Sequence, residues 1–138
     1  MSYQHVQRLV VIAEDYTAVR RAVIQSLQDT SISGHATLGR AEGSLETAYI
    51  ARLFSEFEGI LRQYLKANDP RRRPVPRNMY DVIRRVASVW HIPDDVRDAV
   101  QEAREYQNSV VHPDGTTRAA ISFSDARSIL SKFLARLP

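Results

Sequence analysis

Between Tyr3 and Leu27 apolar residues return at every third or fourth position, at Val6, Leu9, Val10, Ala13, Tyr16, Val19, Val23 and Leu27. Arg8, Glu14, Arg20 and Arg21 fall mostly on the other side. This spacing predicts one amphipathic helix of about six or seven turns. A helix of that length suits a small protein only if it runs the length of a bundle.

The rest of the chain repeats the same period. Residues 29–43 break it, with Gly34, Gly39 and Gly43, so a loop is expected there, and His35 within it is a solvated residue or a proton-transfer group. A second helix is expected from Ser44, as N-cap with Glu46 in the first turn, through the broad apolar face of Ile50, Leu53, Phe54, Phe57, Ile60, Leu61 and Leu65. Glu56 and Glu58 stand four residues from Arg52 and Arg62, as exposed residues or ion pairs. A third helix spans Met79 to Trp90, and His91-Ile92-Pro93 turns into a fourth. The buried stripe of that fourth helix is Val96, Ala99, Val100, Ala103, Tyr106 or Gln107, and Val110; it ends at His112 before Pro113-Asp114-Gly115. A last helix, from Ser124 to Leu137, follows a capping box of Ser122 and Asp125. No strand signal competes. The fold class is all-α, an antiparallel four- to five-helix bundle, with residues 1–138 as a single domain.

Composition narrows the chemistry. The chain has no cysteine, which excludes disulfide and thiolate-metal frameworks. Its histidines, at 5, 35, 91 and 112, show no metal-ligand spacing, and no Gly-rich phosphate loop follows a strand, so neither metal nor cofactor is expected. No apolar run approaches a membrane span and none reads as a signal peptide, so a cytoplasmic protein with no membrane contact is expected. The formal charge is only +3, yet all of the 19 basic residues except Lys66 and Lys132 are arginine. Arginine suits phosphate because its fork meets two oxygens at once; a GC-rich coding sequence gives the same bias.

The arginines concentrate in Asn68-Asp69-Pro70-Arg71-Arg72-Arg73-Pro74-Val75-Pro76-Arg77, where the prolines forbid a helix. Arg71, Arg72, Arg73 and Arg77 make it a candidate grip for an RNA or phosphate backbone, or a solvated connector. No aromatic residue interleaves them, so stacking of bases on the loop is not expected.

The candidate chemistry lies at the end of the fourth helix. His112 follows Asn108 by four residues, about one turn, so both face one side. Gln107-Asn108-Ser109-Val110-Val111-His112 resembles the HEPN superfamily signature, Arg-polar-x-x-x-His at the end of a bundle helix. The aromatic-rich stretch from Ala51 to Arg62 and the Ile92-Pro93 turn are similar to that superfamily as well, so the likeness spans roughly Ser44 to Leu137. It implies a small helical domain of a kind that is often a dimeric, metal-independent endoribonuclease in toxin–antitoxin, phage-defence or RNA-processing systems. On this resemblance His112 is the proton-transfer residue, Asn108 the polar residue that orients it or bonds phosphate, and Gln107 stands where the superfamily has arginine. Glutamine donates a hydrogen bond without charge. Arg104, eight residues before His112 and about 12 Å away along a straight helix, is a substitute cation, as are the loop arginines.

The resemblance further implies a two-fold homodimer with His112 of each subunit near the interface, and an antitoxin or regulatory protein as partner. The same motif also reads structurally, as a helix-end histidine favoured by the helix dipole in an inactive module that binds RNA, a nucleotide or a protein. A helix-turn-helix over Val86 to Arg97 is the remaining alternative, but Asp94 and Asp95 would sit where DNA phosphates belong.

Overall fold

The computed structural model describes residues 2–29, 32–111 and 120–138. Among these the chain is all helix and loop, in the order α1 (Ser2–Asp29), α2 (Ile32–Asn68), α3 (Met79–Val89), α4 (Asp94–Val111) and α5 (Phe123–Leu134). α2 touches every other helix and forms the axis of an antiparallel bundle. No helix of the described residues is long and apolar enough to cross a membrane.

The core is the apolar stripe of each helix brought to α2. Leu9 of α1, Leu53, Phe57, Ile60, Leu61 and Leu65 of α2, Val82, Ile83 and Val86 of α3, and Leu130, Phe133 and Leu134 of α5 are almost wholly buried. Phe57 meets Phe133 edge to face at 5.6 Å, which locks α5 onto the axis. The capping box expected at the start of α5 forms, with the Asp125 N–H donating to Ser122 Oγ at 3.0 Å.

The glycine-bearing stretch is a correction. Residues 32–43 are not a loop but the first turns of α2, and Ser44 is inside that helix rather than its cap. Glycine costs a helix about 1 kcal/mol per residue. Here α1 contributes contacts across the hairpin: Arg20 pairs with Glu42 at 3.1 Å, and the Tyr16 hydroxyl donates to Glu46 at 3.2 Å. Further along the hairpin Arg8 pairs with Glu56, and Arg52 with Asp15. So Glu56 takes its arginine from α1, not from Arg52 four residues away. Glu58 does pair with Arg62, at 2.9 Å.

The α3–α4 turn is set by its backbone. His91 has a positive φ of 54°, and the Ile92 N–H donates to the Ala87 carbonyl at 2.9 Å. This is a Schellman-type ending with histidine where glycine is usual, and the buried Ile92 is its hydrophobic anchor. The turn sends α4 back along α3, which brings the middle of α4 level with the start of α3.

Candidate nucleic-acid interface

The arginine-rich segment is a strapped loop between α2 and α3. Asp69, 6% exposed, anchors its entry. Its carboxylate accepts from the Arg71 N–H at 3.0 Å and from Arg73 Nε at 3.2 Å, and its carbonyl accepts from the Arg72 N–H at 2.9 Å. The bonds to its carboxylate, the Arg71 N–H foremost and then Arg73, hold the Asp69 carboxyl below the ordinary carboxylate range. The turn puts Arg72 at a positive φ of 51°.

Two arginines outside the loop fasten its far side. Arg62 of α2 donates to the carbonyls of Pro76 and Arg77, both at 2.6 Å. Arg85 of α3 donates to the Pro74 carbonyl at 2.6 Å. Proline has no N–H and an extended segment has no ladder, so these carbonyls need outside donors. Asn78 then caps α3, its side-chain oxygen accepting from the Asp81 N–H at 2.8 Å.

The straps sort the arginines by role. Arg62 and Arg85 hold backbone, and Arg73 is tied to Asp69. Arg71, Arg72 and Arg77 are exposed and, with Arg84 on α3, have no carboxylate partner among the described residues. Shallow depressions run along this surface. One is lined by Lys66, Asp69, Arg72 and Arg73, the next by Arg73, Asp81, Arg84 and Arg85, and a third by Tyr80, Arg84 and Arg97 with Asp98, Glu102 and Glu105. Shared arginines join each depression to the next.

The signature helix is described up to Val111; His112 lies outside the described residues, as do Pro113, Asp114 and Gly115. Gln107 turns toward α2 and lines a narrow cleft with Thr47, Ile50, Tyr106 and Val110. Asn108 is exposed on another side of the helix. Val110 is 40% exposed, which corrects its expected place in the buried stripe: α2 covers one flank of this last turn and leaves the other open. Arg104 donates through Nε to Gln101 Oε1 at 3.2 Å and stands 5.9 Å from the Tyr80 ring. Helical side chains lean toward the N-terminus of their helix, and Arg104 follows that rule, so its guanidinium is directed away from the signature end.

Comparison with known proteins finds no matching family model, no matching curated protein and no matching solved structure. The chemistry of the chain therefore rests on its own residues. No group of histidine and acidic side chains among the described residues is arranged to hold a metal ion. Arg97 is held by Asp94 at 3.2 Å and Asp98 at 2.9 Å, so the start of α4 presents carboxylates and a neutralised arginine, a poor surface for a DNA major groove.

Two contributors escaped the sequence reading. The Asn78–Asp81 cap had a legible signal, a capping residue three positions before an acidic one. Tyr80 had none: its neighbours Gln101 and Arg104 come from another helix.

Proposed function

We propose that this chain is a HEPN-like helical module that binds RNA through the arginine-rich face formed by the loop and α3. The observation that supports it is the division of labour among the arginines. Three of them and a buried carboxylate hold the loop rigid, while Arg71, Arg72, Arg77 and Arg84 are left without carboxylate partners among the described residues. A loop held in advance loses little entropy on binding, and arginine meets phosphate in bidentate fashion.

Binding is favoured over cleavage by the state of the signature. Gln107 brings no charge and faces the cleft against α2, and Arg104 is engaged with Gln101 and Tyr80. Neither places a cation beside Asn108. The resemblance also carries a homodimer into this reading, and the exposed Val110 on the signature helix is apolar surface that pairing of those helices would cover.

The test is fluorescence anisotropy with labelled RNA across a salt series, beside a metal-free cleavage assay of total RNA with the wild type and His112→Ala. Four phosphate contacts predict a log–log salt slope of about −3 on single strands, with Arg72→Ala and Arg84→Ala each removing about 0.7. Absence of binding would refute the reading. Cleavage by the wild type that His112→Ala abolishes would replace it with the ribonuclease reading.

A further inference from the structure

We infer that Tyr80 is a platform on which a nucleobase stacks, and that the RNA taken by the arginine face is single-stranded. The inference rests on the RNA-binding reading and sharpens it.

Tyr80 is on the outward side of α3. Its neighbours Val82, Ile83, Val86 and Ala87 are buried, but Tyr80 itself is 44% exposed. The Tyr80 backbone is tied to α4. Gln101, 8% exposed, donates through Nε2 to the Tyr80 carbonyl at 3.1 Å and accepts from Arg104 Nε at 3.2 Å. One buried amide thus bonds both the backbone beneath the ring and the arginine over it. The guanidinium carbons of Arg84 and Arg104 each lie 5.9 Å from the ring centroid. A tyrosine with two guanidinium groups over its ring offers a base a stacking surface made of ring and guanidinium plane together, and the same cations reach the backbone of a single strand. A duplex offers no free base faces to such a ring.

The charges around the ring set the direction of the strand. Arg84 also borders the depression lined by Arg73, Arg85 and Asp81, where the arginines outnumber the carboxylate, so a net positive track leads from the ring toward the loop. The α4 side carries Arg97 within its Asp94 and Asp98 pairs, together with Glu102 and Glu105. The carboxylates repel phosphate, and the exposed Glu102 accepts a hydrogen bond from the donor edge of a base. The backbone therefore lies on the α3 and loop side, and the base on Tyr80 points its amino edge toward α4.

The test is anisotropy with a short labelled oligocytidylate, a duplex RNA of matching length and an abasic ribose-phosphate oligomer of matching length. Each is titrated with the wild type, Tyr80→Ala and Tyr80→Phe, all checked for folding by urea unfolding. The expected result is that oligocytidylate binds more tightly than either competitor. Tyr80→Ala weakens it about tenfold, to the level of the abasic oligomer, while Tyr80→Phe retains affinity. Equal binding of all oligomers, or no effect of Tyr80→Ala, would overturn the platform and leave the arginine face standing. Failure of the wild type to bind any of them would overturn both readings.

Discussion

Arg62→Met tests whether the arginine loop is held in advance. In the wild type the Arg62 guanidinium bonds the Pro76 and Arg77 carbonyls at 2.6 Å each and pairs with Glu58 at 2.9 Å. A hydrogen bond from a charged donor contributes roughly 1.5–3 kcal/mol when buried. The Arg62 side chain is 31% exposed, so water competes for these carbonyls. About 1 kcal/mol per strap is the appropriate figure, with roughly 0.4 kcal/mol more for the helical ion pair. Methionine keeps the length and removes all three contacts; the two straps are the ones lost on loop opening, so its free energy falls by about 2 kcal/mol and the open population rises about 30-fold. Trypsin reports this directly, because the Arg77 carbonyl that Arg62 holds belongs to the bond trypsin cuts. When opening and closing are fast relative to cleavage, nicking follows the open population. Nicking between Arg77 and Asn78 should accelerate by about the same factor, with a smaller fall in the global unfolding midpoint, since loop opening is sub-global. An unchanged nicking rate in a folded variant would refute the strap.

Gly43→Ala should stabilise the protein by about 0.5–1 kcal/mol, because Gly43 is helical and a Cβ there meets nothing within 4 Å; a destabilised variant in urea unfolding would contradict the helical assignment. His5 predicts a pH dependence. Burial, followed by the charge of Arg8, lowers its pKa, and its Nε2 has no hydrogen-bond partner among the described residues. The folded pKa lies below the unfolded value, so the unfolded chain binds more protons as pH falls through about 6.5, and stability declines there. His5→Phe should flatten that decline in unfolding midpoints measured on either side of it, and an unaltered slope would assign the titration elsewhere.

Much of the helix arrangement was legible in the apolar period, because burial against a common axis requires a stripe and a stripe is a property of spacing. The stretch around Gly39 and Gly43 was not. Local propensity favours a loop there, and it yields to the contacts of Arg20 and Tyr16 with Glu42 and Glu46, which come from a helix more than twenty residues earlier. The pairing of Glu56 was misread for the same reason: a partner four residues away is visible on the chain, and one across a helical hairpin is not. The signature residues were visible as a pattern, but the directions in which Gln107, Asn108 and Arg104 face depend on what α2 and α3 cover.

The sequence by itself determined the helical class, the α5 capping box and the concentration of arginines between Arg71 and Arg77. All of these follow from residue type and spacing along one helix or one loop. Only the tertiary structure decided which arginines hold the loop and which have no carboxylate partner among the described residues, since the straps come from α2 and α3. It also supplied the aromatic ring that the loop itself lacks, because Tyr80, Gln101 and Arg104 meet only when α4 folds back along α3. Side chains that converge from separate helices carry no spacing along the chain, and a surface assembled from them exists only after the core has set the positions of those helices.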